Sequence, residues 1–485
     1  MGFHRKLPIK LHNHIIPNVN SAKILGVTFD TKLTFIPHSN RIRKEAKTRL
    51  NLFRMLGAGQ HRASRLTLLQ ILNSWLLPKI LYGIEIVSRQ RENFEKRIAP
   101  IYHTAIRLST GAFCTSPILS LLCESGLLPF DYIITNRLTA AAGRILEKDI
   151  KAESFINRVN AQFHALTNNQ LPHISKLTGR GGRPWYRQPP TIDWSLKDKL
   201  RAGNCSHIAG HHFTSLIQSK YQNHHHIFTD GSVLNESAGF GIFSSNNSCA
   251  IKLPDHTSIF SAEAIAMIVA AQEGICLNKP NIIFTDSASV LAALEYGNIR
   301  DPHIQLLDQL DNSPVITFCW IPGHSSISGN EKADQLANQG RLRPPENNTT
   351  IARRDFNKWS KTIVDEKWNL TWHRKQNSIL RTIKPSTTAW KDTHSSQNQR
   401  VLSRLRIGHT RLTHSYLLEK SSPPLCSFCG VNITVRHILT DCHGYTTERA
   451  LCHLDTSIDI ILSPDPKCQR KLLKFLRMTN LYEEI

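Results

Sequence analysis

An α/β fold is expected for residues 224–340 of this 485-residue chain, and three observations predict it. Short β-rich runs alternate there with runs of helical period. Their order is three strands, a helix, a strand, a helix, a strand and a helix. The composition also changes at both ends of the stretch. Residues 1–224 hold 32 basic and 12 acidic residues, a net +20; residues 225–340 hold 4 and 12, a net −8; residues 341–485 hold 24 and 13, a net +11. The turn-rich and proline-rich segments TGRGGRPWYRQPP and GRLRPPENNTT bound the acidic part as linkers do.

The elements follow in order. HIFTDGS and GFGIFSS read as two strands joined by a polar turn, and SCAIKLP as a third. SIFSAEAIAMIVAAQEGICL repeats Ile259, Ala262, Ile265, Ala266 and Val269 at helical spacing. NIIFTDS is a short apolar run suited to a buried strand, and SASVLAALEYG continues as a helix. HIQLLDQLDNS is helical in pattern, VITFCWIPGH is the fifth strand and GNEKADQLANQG the last helix.

Acidic residues fall at the ends of these elements. Asp230 ends the first strand, Glu263 lies near the start of the first helix, Asp286 ends the fourth strand and Asp334 is on the last helix. Strand ends and helix starts are where an open α/β sheet presents ligands. Four carboxylates converging there repel one another unless cations neutralise them, and hard oxygen ligands suit Mg²⁺ or Mn²⁺. Two such ions about 3.5–4 Å apart serve phosphodiester cleavage by activating water and stabilising the leaving oxygen. Taken singly, each residue has a plainer reading: a strand-end Asp forms turns, Asp286 before SAS caps a helix, His324 beside Gly is a loop residue, and Glu263 and Asp334 are solvated helix faces. The joint pattern favours the functional reading.

FTDGS, SAEAIAMIVA, FTDSASVL and WIPGHSSISGNEKADQLA resemble, in order, the successive motifs of type 1 ribonuclease H. The resemblance implies a mixed five-stranded sheet with helices on both faces and hydrolysis of the RNA strand of RNA/DNA hybrids, leaving 3′-hydroxyl and 5′-phosphate ends. It implies that Asp230, Glu263, Asp286 and Asp334 bind the Mg²⁺ ions, with Mn²⁺ as a substitute. It also implies that His324 is the mobile-loop histidine of proton transfer or product release, and that Gly231, Ser232, Asn235 and Ser287 lie near the hybrid. An integrase or transposase of related fold has its acids in the order Asp, Asp, Glu, which this chain does not follow. The interval from Asp286 to Val315 is too short for the basic loop of longer family members, and only Arg300 is basic within it.

The flanks are basic. AKILGVTFDTKLTFIPHSNRIRKEAKTRLNLFRML followed by LLPKILYGIEIV resembles the thumb and connection of non-LTR retrotransposon reverse transcriptases, so residues 1–150 are expected to be a mainly helical remnant of that kind. Ile42, Ala46, Leu50 and Phe53 form an apolar stripe opposite Arg41, Arg43, Lys44, Lys47 and Arg49, a face suited to a phosphate backbone or simply to solvent. No Asp-Asp pair occurs, and the family's polymerase palm carries one, so the palm is expected to be missing. Residues 151–223 read as a basic linker, 341–415 as a basic helical region and 416–485 as a small zinc module with a tail. There Cys426, Cys429, His437 and Cys442 form C-x₂-C-x₇-H-x₄-C, a set suited to structural Zn²⁺. This tail resembles that of the same retroelement polyproteins. His12 and the run His224 to His226 lack partner ligands at usable spacing.

Eleven scattered cysteines suit reduced thiols, and a cytoplasmic or nuclear protein is expected. LLQILNSWLLPKILYGIEIV reads as buried helix, since Asn73, Pro78, Lys79 and Glu85 interrupt it, and no membrane partner or small-molecule cofactor is expected. The excess of 60 Lys and Arg over 37 Asp and Glu points to a nucleic-acid partner. Two other readings stay open at this level: a nucleic-acid-binding remnant with an inactive site, and an adaptor that uses its zinc module for protein contacts. Composition leaves oligomeric state open.

Overall fold

Strands whose residues are mostly buried on both faces build the centre of the domain. The computed structural model describes the chain except residues 1–8, 13, 58–62, 177–189, 203–208, 277–278, 298–300, 311–315, 345–349 and 391–395. Most of the proline-rich lead-in and Arg300 therefore lie outside the described residues. Two compact units result, one of residues 139–362 and one of residues 1–138 with 363–485.

In the unit 139–362 the strands are β1 (Ile192–Asp193), β2 (His225–Leu234), β3 (Ser237–Ser244), β4 (Ser248–Leu253), β5 (Asn281–Thr285) and β6 (Ile316–Trp320). They form one six-stranded sheet in the order β1-β6-β5-β2-β3-β4. Pairing from β1 to β2 is parallel, and β2-β3-β4 is an antiparallel meander. Helices are α1 (Ile259–Cys276), α2 (Ala288–Glu295), α3 (Pro302–Leu310) and α4 (Ser328–Leu342).

Period two sends neighbouring side chains to opposite faces. Ile227, Ile283 and Phe318 join a core with α1, α2 and α3. Phe228, Ile282, Phe284 and Cys319 join a second core with Ala333 of α4 and with Leu196, Leu216 and Tyr221. Because β5 has helices on both faces, all five of its residues are buried, as its unbroken apolar run predicts. α4 lies so close to β3 that a Cβ on Gly241 would sit 2.4 Å from the backbone nitrogen of Ala337, so only glycine fits there.

Three expectations change for the sheet and the residues around it. The sheet has six strands, because Ile192 and Asp193 pair with Phe318 and Cys319 of β6. The stretch read as linker is in part folded: it contains the helices Glu153–Thr167 and Ser195–Ala202 and a further helix from Ala209. A two-residue strand carries no periodicity, which is why sequence pattern misses it. Finally, α1 has no single apolar stripe: Ile259 is exposed, Ile265 and Val269 are half-buried, and the fully buried residues include Ala264, Met267 and Ile268. α1 packs against the sheet and also against α3, so more than one side is apolar. This burial also accounts for its having the length and hydropathy of a membrane span.

In the other unit the helix Ile36–Leu56 buries Ile42, Ala46, Leu50 and Phe53 as its spacing predicts, and packs on the helix Arg91–Thr110. The run expected to be one buried helix is broken instead into Arg65–Ile71, a π-turn at Leu72–Leu76, Leu77–Ile80 and Ile84–Val87. Pro78 lacks the N–H that would continue the helical ladder. The Cys/His segment does not stand apart as a small module. Val435, Ile438 and Leu439 share a core with Val401, Leu402 and Leu405 and with Leu472, Phe475 and Leu476.

At the centre of that unit Glu124 is almost wholly buried. Its Oε1 lies 3.0 Å from Arg65 Nη1 and 3.7 Å from Arg406 Nη1, and accepts from Ser403 Oγ at 3.1 Å. Lys384, also fully buried, donates to the Cys123 carbonyl at 2.7 Å. Burial pushes the Glu124 carboxyl up, but Arg65, Arg406 and Lys384 outweigh it and hold the group below its ordinary value.

Candidate active site

Parallel pairing of β2 with β5 ends at Thr229 and Thr285. Asp230 and Asp286 each follow one residue later, so register alone sets them side by side on neighbouring strands. Asp230 does not end its strand: β2 runs on to Leu234, and only its parallel pairing stops there. Glu263 comes from the first turns of α1. It can approach because residue 231 is glycine, whose added Cβ would lie 2.9 Å from the Glu263 backbone nitrogen.

Oxygens of Asp230, Glu263 and Asp286 lie within 4.8 Å of one another. Asp230 and Glu263 are 7% and 5% exposed, so water screens their repulsion little. Burial, with Asp286 and Asp334 nearby, pushes the Asp230 carboxyl up to about 8. Burial, Asp230 and Asp286 push Glu263 well above its usual range, and burial raises Asp286 while the His324 imidazole pulls it back. Glu263 Oε2 is buried and has no hydrogen-bond partner among the described residues. An orphaned oxygen within an all-carboxylate cluster fits a hard divalent cation.

Asp334 stands outside this trio, although its carboxyl shares a hydrogen bond with that of Asp230. Its partner is a residue that motif reading passes over. Asn338, one helical turn on, donates through Nδ2 to Asp334 Oδ1 at 3.0 Å and accepts from Ser232 Oγ at 2.8 Å. Ser232 is thereby tied to the acid on α4; the spacing of four between Asp334 and Asn338 was the available signal. A second such residue is Trp320, whose Nε1 donates to the Asp286 carbonyl at 3.1 Å.

His324 follows β6 in a loop with a left-handed backbone, φ 49°, as does Ser326, φ 59°. Ser287 precedes α2, and its backbone N–H donates to Thr285 Oγ1 at 3.1 Å. Asn235 is exposed in the two-residue β2-β3 turn with φ 48°, several residues along the strand from Asp230.

A second cluster lies in the other unit. One ligand atom each of Cys426, Cys429, His437 and Cys442 falls within the same 4.8 Å span. Cys442 Sγ is 3.6 Å from Cys426 Sγ and 3.8 Å from Cys429 Sγ. Tetrahedral thiolates about 2.3 Å from zinc stand about 3.8 Å apart, so the spacing fits that ion. His437 Nε2 is buried without a hydrogen-bond partner among the described residues, and the imidazole holds the Cys426 thiol down to about 6. The donor set therefore fits a structural zinc site.

Residues 222–341 match the family model described as RNase H, and this part of the chain is an RNase H domain. The chain is 31% identical over 104 residues to a probable RNA-directed DNA polymerase from transposon X-element of Drosophila melanogaster, which covers 21% of this chain and 12% of that protein. It is 54% identical over 35 residues to a ribonuclease H of Francisella tularensis subsp. novicida, covering 7% of this chain and 23% of the relative. The chain thus spans less than a quarter of the length of these relatives. Among solved structures it is similar to a Prototype Foamy Virus protease-reverse transcriptase, with 25% identity, TM-score 0.23, and coverage of 25% of this chain and 21% of that one.

Proposed function

We propose that the chain is a divalent-cation-dependent endonuclease that hydrolyses the RNA strand of RNA/DNA hybrids, and that it derives from a retroelement. The observation that carries this reading is the trio Asp230, Glu263 and Asp286, two of them buried and the third half-buried, mutually repelling and within 4.8 Å, inside an RNase H domain. Mg²⁺ ions, when bound, supply the charge that activates water and stabilises a leaving oxygen. The chain's own residues do the rest. Asp230 gives up its proton on loading, Asp230 and Asp286 hold the site from neighbouring strands, Glu263 presents its orphaned oxygen from α1, and Asn338 keeps the Asp334 carboxyl in place. His324, within the field of Asp286, moves a proton at the departing oxygen or helps release product. Ser232, Asn235 and Ser287 are proposed to lie along the hybrid, whose shape and 2′-hydroxyls are read in place of sequence. An intact acid cluster speaks against the inactive-remnant reading.

The test is cleavage of an end-labelled RNA/DNA hybrid by purified protein. Cleavage is expected with Mg²⁺ and not without it, and His324→Ala is expected to slow it roughly tenfold, because solvent partly replaces a shuttle. Activity independent of added cation would refute the cation dependence.

For the second cluster we propose a structural Zn²⁺ held by Cys426, Cys429, His437 and Cys442. One zinc per chain is expected by elemental analysis of protein purified under reducing conditions. Cys426→Ser with Cys429→Ser is expected to remove it and to open residues 425–485 to protease. Zinc-free wild-type protein with the same protease resistance would sink this assignment.

A further inference from the structure

The unit made of residues 1–138 and 363–485 contains a cavity of about 860 Å³, within the range of ligand pockets. Its walls come from Pro117 and Ser120, from the stretch 373–385, from Ile407, Gly408, His409 and His414, and from Thr434, Val435 and Arg436 just before His437. Lys375, Arg381 and Arg436 line it, and no Asp or Glu does among the described residues. None of these three cations forms an ion pair among the described residues. Unopposed positive charge in a concavity attracts an anion.

The rest of the lining is aromatic, apolar or hydrogen-bonding. The rings of His409 and His414 stack 3.6 Å apart at 22°. Nδ1 of His409 lies 3.0 Å from the Thr115 hydroxyl, and Nδ1 of His414 lies 2.8 Å from that of Thr413, which fixes both rings. Burial, His414 and Lys375 push His409 down to about 4, so at neutral pH the ring offers a π surface without charge. Ile379, Ile407 and Pro385 add apolar surface, and Asn377, Ser378 and Thr434 add hydrogen-bonding groups.

We propose that this cavity is a binding site for single-stranded nucleic acid, with phosphates on Lys375, Arg381 and Arg436 and a base against the His409–His414 pair. Cations beside a stacking platform are the combination that holds single strands without reading sequence. In a duplex the bases are paired and stacked inside, so no base is free to lie against the ring pair. An acidic peptide would meet the cations but leave the stacked rings unused. The site is independent of hydrolysis at Asp230.

The test uses the full chain and a fluorescein-labelled oligo-dT, with affinity followed by anisotropy across a salt series. Lys375→Ala with Arg381→Ala is expected to weaken binding tenfold or more and to flatten the salt slope by about 1.4, at about 0.7 per lost phosphate contact. His409→Ala is expected to weaken it about fivefold at an unchanged slope, since stacking is lost and charge is not. The control Arg470→Ala with Lys474→Ala, two exposed residues of the helix Pro466–Met478, is expected to stay within about twofold at equal charge removed. Zinc content and circular dichroism report that each variant is folded. Wild-type affinity in the cavity pair, or an equal loss in the control pair, overturns the proposal. Full affinity in His409→Ala overturns the stacking contact. Poly-glutamate that binds as tightly as oligo-dT and loses as much from the cavity pair would assign the cavity to an acidic polypeptide instead.

Discussion

Asp230→Asn is expected to reduce hybrid cleavage by about a thousandfold or more and, in the same protein, to raise the melting temperature measured in a chelator. Both effects follow from one electrostatic arrangement. The carboxyl is held up at about 8 by burial and by Asp286 and Asp334. An unfolded chain releases this proton near pH 4, whereas the folded, cation-free domain keeps it until near pH 8. Across that window the folded state binds more protons, so its stability falls as pH rises. At 1.36 kcal/mol per pH unit, less the cost of burying an amide, the variant gains roughly 2 kcal/mol at neutral pH, or about 4–8 °C for a unit of this size. Mg²⁺ is expected to stabilise the wild type more at pH 8 than at pH 6, because loading then displaces fewer protons. Calorimetry at the two pH values checks this. Melting below the wild type in chelator, or undiminished cleavage, would remove the basis for the cluster's role.

Glu124→Gln is expected to be the most damaging single change outside the RNase H domain, at about 3–5 kcal/mol. The substitution is nearly isosteric, but it strips the counter-charge from Arg65, Arg406 and Lys384, which remain buried. Its four partners, including Ser403, come from chain segments more than 300 residues apart, so the loss is shared by both segments of that unit. Here the carboxyl is held below its ordinary value, so its contribution is complete above about pH 4.5 and disappears as pH falls through the depressed value. Urea titrations are expected to separate variant from wild type at pH 7 and to converge in acid. Equal midpoints at pH 7 would show that Glu124 holds nothing together.

The strand and helix order of residues 225–342 was legible because each element buries a face and so carries a period. Asp230 and Asp286 stood out for a related reason: each directly follows a run of apolar strand residues that had to be buried, although Asp230 itself lies within its strand. What escaped was relational. Asn338 earns its place only through Ser232 and Asp334, and Trp320 only through a carbonyl of the neighbouring strand. Asp334 was grouped with the other three acids, while its geometry leaves it at the margin of the trio. Glu124 gave no signal at all, because its partners at 65, 384, 403 and 406 form no local pattern.

The short strand β1 separates two quantities that are easily equated, the extent of a recognisable motif and the extent of a piece that folds. Family similarity begins at residue 222, yet the sheet's outer edge is supplied from Ile192 and Asp193, and one of its two cores is closed by Leu196, Leu216 and Tyr221. A cut after Tyr221 keeps every acid of the cluster and strips Leu196, Leu216 and Tyr221 from against Phe228, Phe284 and Cys319. The portable unit of this domain, for an engineer splicing it or for a genome recombining it, therefore starts at least thirty residues ahead of Asp230.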